Sequence, residues 1–310
     1  MESGKIVLER VKQNREQWLS LREGKITSTA ITCIAGLNPY KSALQLWAEW
    51  TGKVKNDFNG NEFTDLGLVL EPYVGSLYAR RSGRQVREYD ALIQHASLDW
   101  ALATPDFIVD ESELLEVKTG SSRQFAKWED DETPENYAVQ LQWQLGVCGI
   151  ERGHIAALLG GDPTNLLMRS FELDHELFGS LLELGLDFLH KVKSDEPPAP
   201  GDKDSRLITS LINRNSSSKL FSYEQAGMVS EYFNELVALR DQRAQLESEV
   251  RRLEAQIKIN ENCLKLAAGE SAEAAFADGR RYRVKRIEVA AKSVAAYQYE
   301  RLYILNAGGE

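Results

Sequence analysis

Apolar positions recur along this chain with two periods. Val7, Val11, Trp18 and Leu21 stand at helical spacing and predict an amphipathic helix over 7–21. Ser and Thr residues just before Ala30 are natural N-caps for a short helix over 30–35. Asn38-Pro39 turns the chain into a second helix over 42–50, ended by Gly52. The apolar run from Leu66 to Val74 predicts a helix reaching about Arg81, beginning near Leu70 or kinking there because Pro72 has no N–H. The period then shortens to two. Phe107-Ile108-Val109 and Leu114 to Lys118 read as two strands, and Asp110-Glu111-Ser112-Glu113 between them reads as the turn of a hairpin. A helix over 137–148, a buried strand over 154–159, another strand over 166–173 and a helix over 175–192 follow. That order predicts an α/β sandwich around a mixed sheet.

The pattern changes again after Pro197-Pro198-Ala199-Pro200-Gly201-Asp202, whose composition is that of a linker, and beyond it Arg206 to Asn213 could form a short helix. From about Ser222 to Ala267 the chain reads as a charged helix. Leu239, Leu246, Val250, Leu253, Ile257 and Leu264 keep a three-four spacing, interrupted by Arg243 and Asn260. Such a seam could pair with another helix of the same chain or of a second subunit, or could lie on the core as an ordinary amphipathic helix. Beyond it, Tyr282 and Val284 belong to a short β ribbon carrying Arg280, Arg281, Arg283, Lys285 and Arg286.

With 310 residues and 43% hydrophobic content the chain can build one large domain or two. Cys33, Cys148 and Cys263 are sparse, widely separated and without metal-binding spacing, as expected in a reducing compartment. No apolar run is long enough to span a bilayer, and Met-Glu-Ser-Gly-Lys is no signal peptide. A soluble, cytoplasmic protein without membrane contact is expected. The net charge of −10 argues against a chain that coats nucleic acid with its whole surface, but a nucleic-acid enzyme needs only a local basic channel.

The hairpin carries the candidate chemistry. Glu116 and Lys118 share one face of the second strand, and Asp106 stands across the hairpin mouth. Two carboxylates suit Mg2+, which takes only one or two from a protein and keeps several waters. A lysine beside them could orient a water for in-line attack on a phosphodiester. The same alternation also describes a solvent-facing strand with a Glu-Lys pair. Glu71, set among apolar residues, is either a helix-start carboxylate favoured by the dipole or a metal ligand. Arg80, Arg81, Arg84 and Arg87 cluster near a Gly turn, facing phosphates or water.

Pro105-Asp106 followed by Glu116-Val117-Lys118 resembles the PD-(D/E)XK nuclease signature. Arg22-x-x-x-Ile26-Thr27, Gly36-Leu37-Asn38-Pro39-Tyr40, Gly67-x-x-x-Glu71 and Gln140-Leu141-Gln142-Trp143 flank it in order. Together they resemble the YqaJ and phage lambda exonuclease family of viral recombination nucleases, over about residues 15 to 190. The resemblance implies a restriction-endonuclease-like core over 1–195; composition and period add a linker over 196–220 and a helical and β-ribbon extension over 221–310. It implies an enzyme that digests linear double-stranded DNA from the 5′ end and leaves 3′ overhangs for single-strand annealing recombination. It assigns Asp106, Glu116 and the Val117 carbonyl to one Mg2+, Glu71 and Asp106 to a second, Lys118 to the water and Gln140 to support; Mn2+ could substitute. Arg22, Thr29 and Thr104 would bind the 5′-phosphate, Thr29 standing where the family usually has serine. Arg123, in a stretch that resembles the lambda enzyme, would face DNA with Arg80, Arg81 and Arg84. The partners implied are DNA ends, a single-strand annealing protein and two further copies in a ring-shaped trimer, in a bacterial host of phage or prophage. A resolvase-like endonuclease on the same fold and a non-catalytic DNA-end-binding scaffold are the alternatives.

Overall fold

The expected hairpin lies at the centre of a five-stranded sheet in the computed structural model of the chain, which describes residues 3–56, 60–128, 132–211, 227–269, 273–289 and 297–305. The chain divides into two units, 1–215 and 216–310.

The first unit begins with β1 (Lys5–Glu9), α1 (Arg15–Arg22), α2 (Ser28–Ile34), α3 (Ala43–Trp50) and α4 (Glu62–Ser82). Three short strands follow, β2 (Val86–Glu88), β3 (Ala91–Gln94) and β4 (Leu102–Ala103), and then the hairpin strands β5 (Phe107–Val109) and β6 (Glu113–Gly120). The rest is α5 (Glu135–Cys148), β7 (Arg152–Leu159), β8 (Leu166–Glu172), α6 (His175–Ser194) and α7 (Ser205–Leu211). The main sheet has the order β2-β5-β6-β7-β8 and is antiparallel except for the parallel pair β6 and β7. A smaller sheet has the order β1-β3-β4.

Side-chain alternation on β6 and β7 gives the sheet two buried faces. Leu115, Val117, Ala156 and Leu158 pack with Val74, Tyr78 and Phe107, so α4 covers this face. Leu114, Ile155, Ala157 and Leu159 join Ile31, Trp47, Trp143 and Phe178, so α2, α3, α5 and α6 cover the other. Glu116 shares the α5 face with Leu114.

Two expectations are corrected. The start of the predicted helix over 7–21 is a strand: β1 pairs with β3, Ile6 opposite Ile93 and Leu8 opposite Leu92. Arg10, at φ +54°, breaks the chain before α1. The helix carrying Glu71 starts at Glu62, not near Leu70, because Asn61 and Thr64 form a reciprocal capping box. Pro72 therefore sits mid-helix and denies the Leu68 carbonyl its usual donor. The short helix expected over 206–213 is α7 (Ser205–Leu211). Leu207, Ile208 and Leu211 lie on the core, and the buried Asp204 accepts hydrogen bonds from Ser42 Oγ at 2.6 Å and Gly201 N–H at 2.8 Å.

The second unit contains α8 (Gly227–Ala268), β9 (Glu273–Ala275), β10 (Arg281–Val289) and β11 (Tyr297–Leu305), the strands forming a sheet of order β11-β10-β9. The expected heptad helix is thus present, its first residues, 222–226, lying outside the described residues. Tyr282 is buried and its hydroxyl donates to the Leu264 carbonyl at 3.2 Å, so the ribbon rests on the last turns of α8. Arg280 pairs with Asp278 and Arg283 with Glu273, which neutralises part of the basic run within the ribbon. Among the described residues no helix is long and apolar enough to cross a membrane.

Gly75 sets how closely α4 approaches the sheet. A Cβ there would lie 2.7 Å from the Phe107 ring, whereas one at Gly179 in α6 would meet nothing within 4 Å. Gly75→Ala should destabilise the chain by about 1–3 kcal/mol through overpacking. Gly179→Ala should stabilise it by about 1 kcal/mol through helix propensity. Urea unfolding of both variants checks the difference, and equal midpoints would contradict this packing.

Candidate active site

The hairpin register places Phe107 opposite Leu115, which sets Asp106 against Glu116. Asp110 and Glu111 adopt φ of +46° and +57° and close the turn. Asp106 Oδ2 accepts the Val117 N–H at 2.8 Å, locking this carboxylate to the strand that carries the other site groups.

Glu116 is 3% exposed, and polar donors surround it. Lys118 Nζ and Gln140 Nε2, the latter at 2.7 Å, donate to its Oε1. Gln144 Nε2 donates to its Oε2 at 2.8 Å. Gln140 and Gln144 are four apart on α5 and so project from one face. Lys118 also lies over the Tyr137 ring at 5.1 Å.

Glu71 comes from the other side of the sheet on α4. It stands near the middle of that helix, so the helix-start dipole explanation does not apply. Lys12 Nζ bridges Glu71, at 3.2 Å, and Glu88. Burial pushes the Asp106 carboxyl well up, and the neighbouring Glu116 and Glu71 push it further. Burial alone would lower the Lys118 ammonium, but Glu116 and Asp106 outweigh it and the net shift is upward. Three carboxylates therefore feel one another around Lys118, with Lys12 shared between Glu71 and Glu88, an arrangement short of positive charge. Among the described residues no three acid, histidine or cysteine side chains surround a single point. An ion here would take two carboxylates, Asp106 and Glu116, with the Val117 carbonyl and waters, a donor set that fits Mg2+.

Two of the expected phosphate-pocket residues meet on Trp18. The Arg22 guanidinium stacks 3.9 Å from its ring centroid, and its indole N–H donates to Thr104 Oγ1 at 3.2 Å. Arg22 Nε is buried without a hydrogen-bond partner among the described residues, and burial with nearby Arg15 lowers its pKa to about 10. Thr29 is exposed in the first turn of α2, which Thr27, not Thr29, caps. Arg123 and Arg80 are exposed. Arg81 donates to the Pro163 and Leu166 carbonyls.

Arg84, expected to face DNA phosphates or water, binds Asp110 and Glu113 of the hairpin at 2.7 and 2.6 Å. His154 Nε2 lies 2.6 Å from the same Glu113, and its Nδ1 lies 2.9 Å from Ser170 Oγ. Gln144, Lys12 and Trp18 were not among the expected site residues. The i, i+4 spacing from Gln140 could have flagged Gln144; nothing local ties Lys12 to Glu71, 59 positions away.

Residues 17–151 match the YqaJ-like viral recombinase domain. The YqaJ protein of Bacillus subtilis, itself uncharacterized, is 31% identical over 251 residues, covering 79% of this chain and 77% of that one. The chain belongs to the YqaJ-like viral recombinase family. Protein R354 of Acanthamoeba polyphaga mimivirus, also uncharacterized, is 29% identical over 155 residues, 44% of this chain and 27% of that one. The alkaline exonuclease of Laribacter hongkongensis superposes with a TM-score of 0.51 at 20% identity, over 64% of this family member and all of that chain. Its complex with dAMP gives 0.52 at the same identity and coverage. The YqaJ-like chain thus has the PD-(D/E)XK fold of the alkaline exonucleases.

The hydrogen bond from Arg84, only partly offset by desolvation, holds the Glu113 carboxyl at about 2, below its ordinary 4.5. A folded pKa below the unfolded one stabilises the native state above about pH 4.5, and this contribution is lost as pH falls from there towards about 2. Glu113→Gln should flatten stability against pH in that window. Parallel acid-denaturation curves for the variant and the parent would contradict this.

Proposed function

We propose that this protein is a metal-dependent exonuclease that digests linear duplex DNA from its 5′ end. It would leave 3′ overhangs for a single-strand annealing protein to coat. The convergence of Asp106, Glu116 and Lys118 at one end of the hairpin, braced by Gln140, carries this reading. Mg2+ or Mn2+ held by Asp106, Glu116 and the Val117 carbonyl would supply Lewis acidity to the scissile phosphodiester. Lys118 orients the attacking water and holds its proton balance from a fixed position between Glu116 and the Tyr137 ring. Gln140 and Gln144 donate to the two oxygens of Glu116 and so fix the orientation of a carboxylate that would hold the cation. A second ion would take Glu71 and Asp106, with Lys12 on Glu71 Oε1.

Linear duplex incubated with Mg2+ should release nucleotides from its 5′ ends and leave 3′ single strands, while a sealed circle stays intact. Asp106→Ala should abolish the activity with folding unchanged, and Gln144→Ala should lower it roughly 10–100-fold, as for residues that orient metal ligands. Full Mg2+-dependent activity in Asp106→Ala sinks the assignment, and cutting of the sealed circle points to an endonuclease.

Arg22, Thr29 and Thr104 would receive the 5′-phosphate, Arg22 by a charge-assisted hydrogen bond. Blunt duplex with 5′-phosphate should be degraded about tenfold faster than duplex with 5′-hydroxyl, the worth of one such bond. Arg22→Ala should erase the preference. Equal initial rates on the two ends with the native protein would refute the pocket.

A further inference from the structure

Helix α8 presents an apolar seam to solvent. Leu239, Leu246, Val250, Leu253 and Ile257 are each more than half exposed. The seam runs from Leu236 to Leu264 with unbroken three-four spacing, two positions being polar, Arg243 and Asn260. Most helical stability in proteins comes from packing an apolar face, and 42 residues with this one uncovered lack that support. Within its own unit, and among the described residues, the ribbon engages only the last turns, through Tyr282 and Leu264.

We infer that α8 pairs antiparallel with α8 of a second copy of this chain, in the register that sets Arg243 against Asn260. The two polar interruptions decide the orientation. In a parallel, in-register pair Arg243 would face Arg243 and Asn260 would face Asn260, placing two like charges in the seam. Reversing one helix so that Val250 meets Leu253 also sets Leu246 against Ile257 and Leu239 against Leu264. The same register puts Arg243 opposite Asn260, whose side-chain carbonyl can accept from the guanidinium. Every apolar seam residue between them then meets an apolar one, and each polar residue meets its complement twice, once at each end of the pair.

The flanking rows do not choose between the two arrangements. Antiparallel pairing brings Arg240 to Glu261 but also Glu247 to Glu254. Parallel pairing brings Glu235 to Arg240 but also Glu249 to Glu254. One attractive and one repulsive contact arise either way, so the seam itself sets the orientation. The polar layer fixes register at some cost in stability, the best-attested use of buried polar residues in coiled coils. This pairing does not rest on the nuclease reading and holds whether or not the protein cuts DNA.

Cysteine cross-linking of the full chain tests it. The exposed Cys263 is first replaced by serine; Cys33 and Cys148 are buried. On mild oxidation, the double variant L246C and I257C should become a covalent dimer, with the 246–257 peptide pair found by mass spectrometry. L246C alone should not link, because two copies of position 246 would lie roughly 16 Å apart along the helices, beyond disulfide reach. A second double variant, R243C and N260C, leaves every apolar seam residue in place and should link in the same way. Self-linking of L246C alone overturns the antiparallel orientation. Failure of both double variants to link overturns the pairing.

Discussion

A carboxylate at the centre of a buried sheet constrains the first unit. Glu116 sits on β6 with one neighbour strand parallel and the other antiparallel, almost wholly out of water. An ionised carboxylate in such a place is strongly unfavourable unless its oxygens are hydrogen-bonded and its charge is balanced. Lys118 supplies the balance, and Gln140 and Gln144 supply donors to both oxygens. The approach of α5 to this face, and the parallel crossover from β6 to β7 that α5 forms, put those glutamines in place. Asp106 is bound to the same strand through the Val117 N–H, so the site groups move as one body with the sheet. The surplus of negative charge that remains is what makes the arrangement suited to a cation rather than merely stable.

Much of this was legible because it is local. Period-two alternation and a polar turn identify the hairpin, and its register follows from the turn, so Asp106, Glu116 and Lys118 could be grouped from sequence. Gln140 follows from resemblance, and helix spacing extends it to Gln144. What escaped the sequence is what depends on distant pairing. Val7, Val11 and Trp18 have helical spacing, yet Val7 lies in β1, because the β-branched run pairs with a strand more than eighty residues away. Pro72 suggested a helix start near Leu70 or a kink there, but the Asn61 capping box starts the helix at Glu62, ahead of the proline. Lys12 joins Glu71 and Glu88 from a turn whose sequence says nothing of either.

The basic residues divide along the same line. Read from the sequence, the arginines at and just after the end of α4 were candidates for phosphate contact. In the fold, Arg84 holds the hairpin turn through Asp110 and Glu113, and Arg81 holds the start of β8, so both support the strands that carry the site. Arg22 is different. Its guanidinium is half-buried on Trp18 beside Thr104, and its Nε has no hydrogen-bond partner among the described residues. A buried donor left without an acceptor carries a desolvation cost, which an anion bound there would offset. An acidic chain can thus keep positive charge where it is used.

The central claim is that Asp106 and Glu116 form a divalent-cation site. Mn2+ soaked into crystals of the protein tests it most directly through its anomalous scattering. The account predicts a peak bounded by both carboxylates and the Val117 carbonyl, and loss of that peak in Asp106→Asn. No peak there at millimolar Mn2+, or an unchanged peak in the variant, would contradict it.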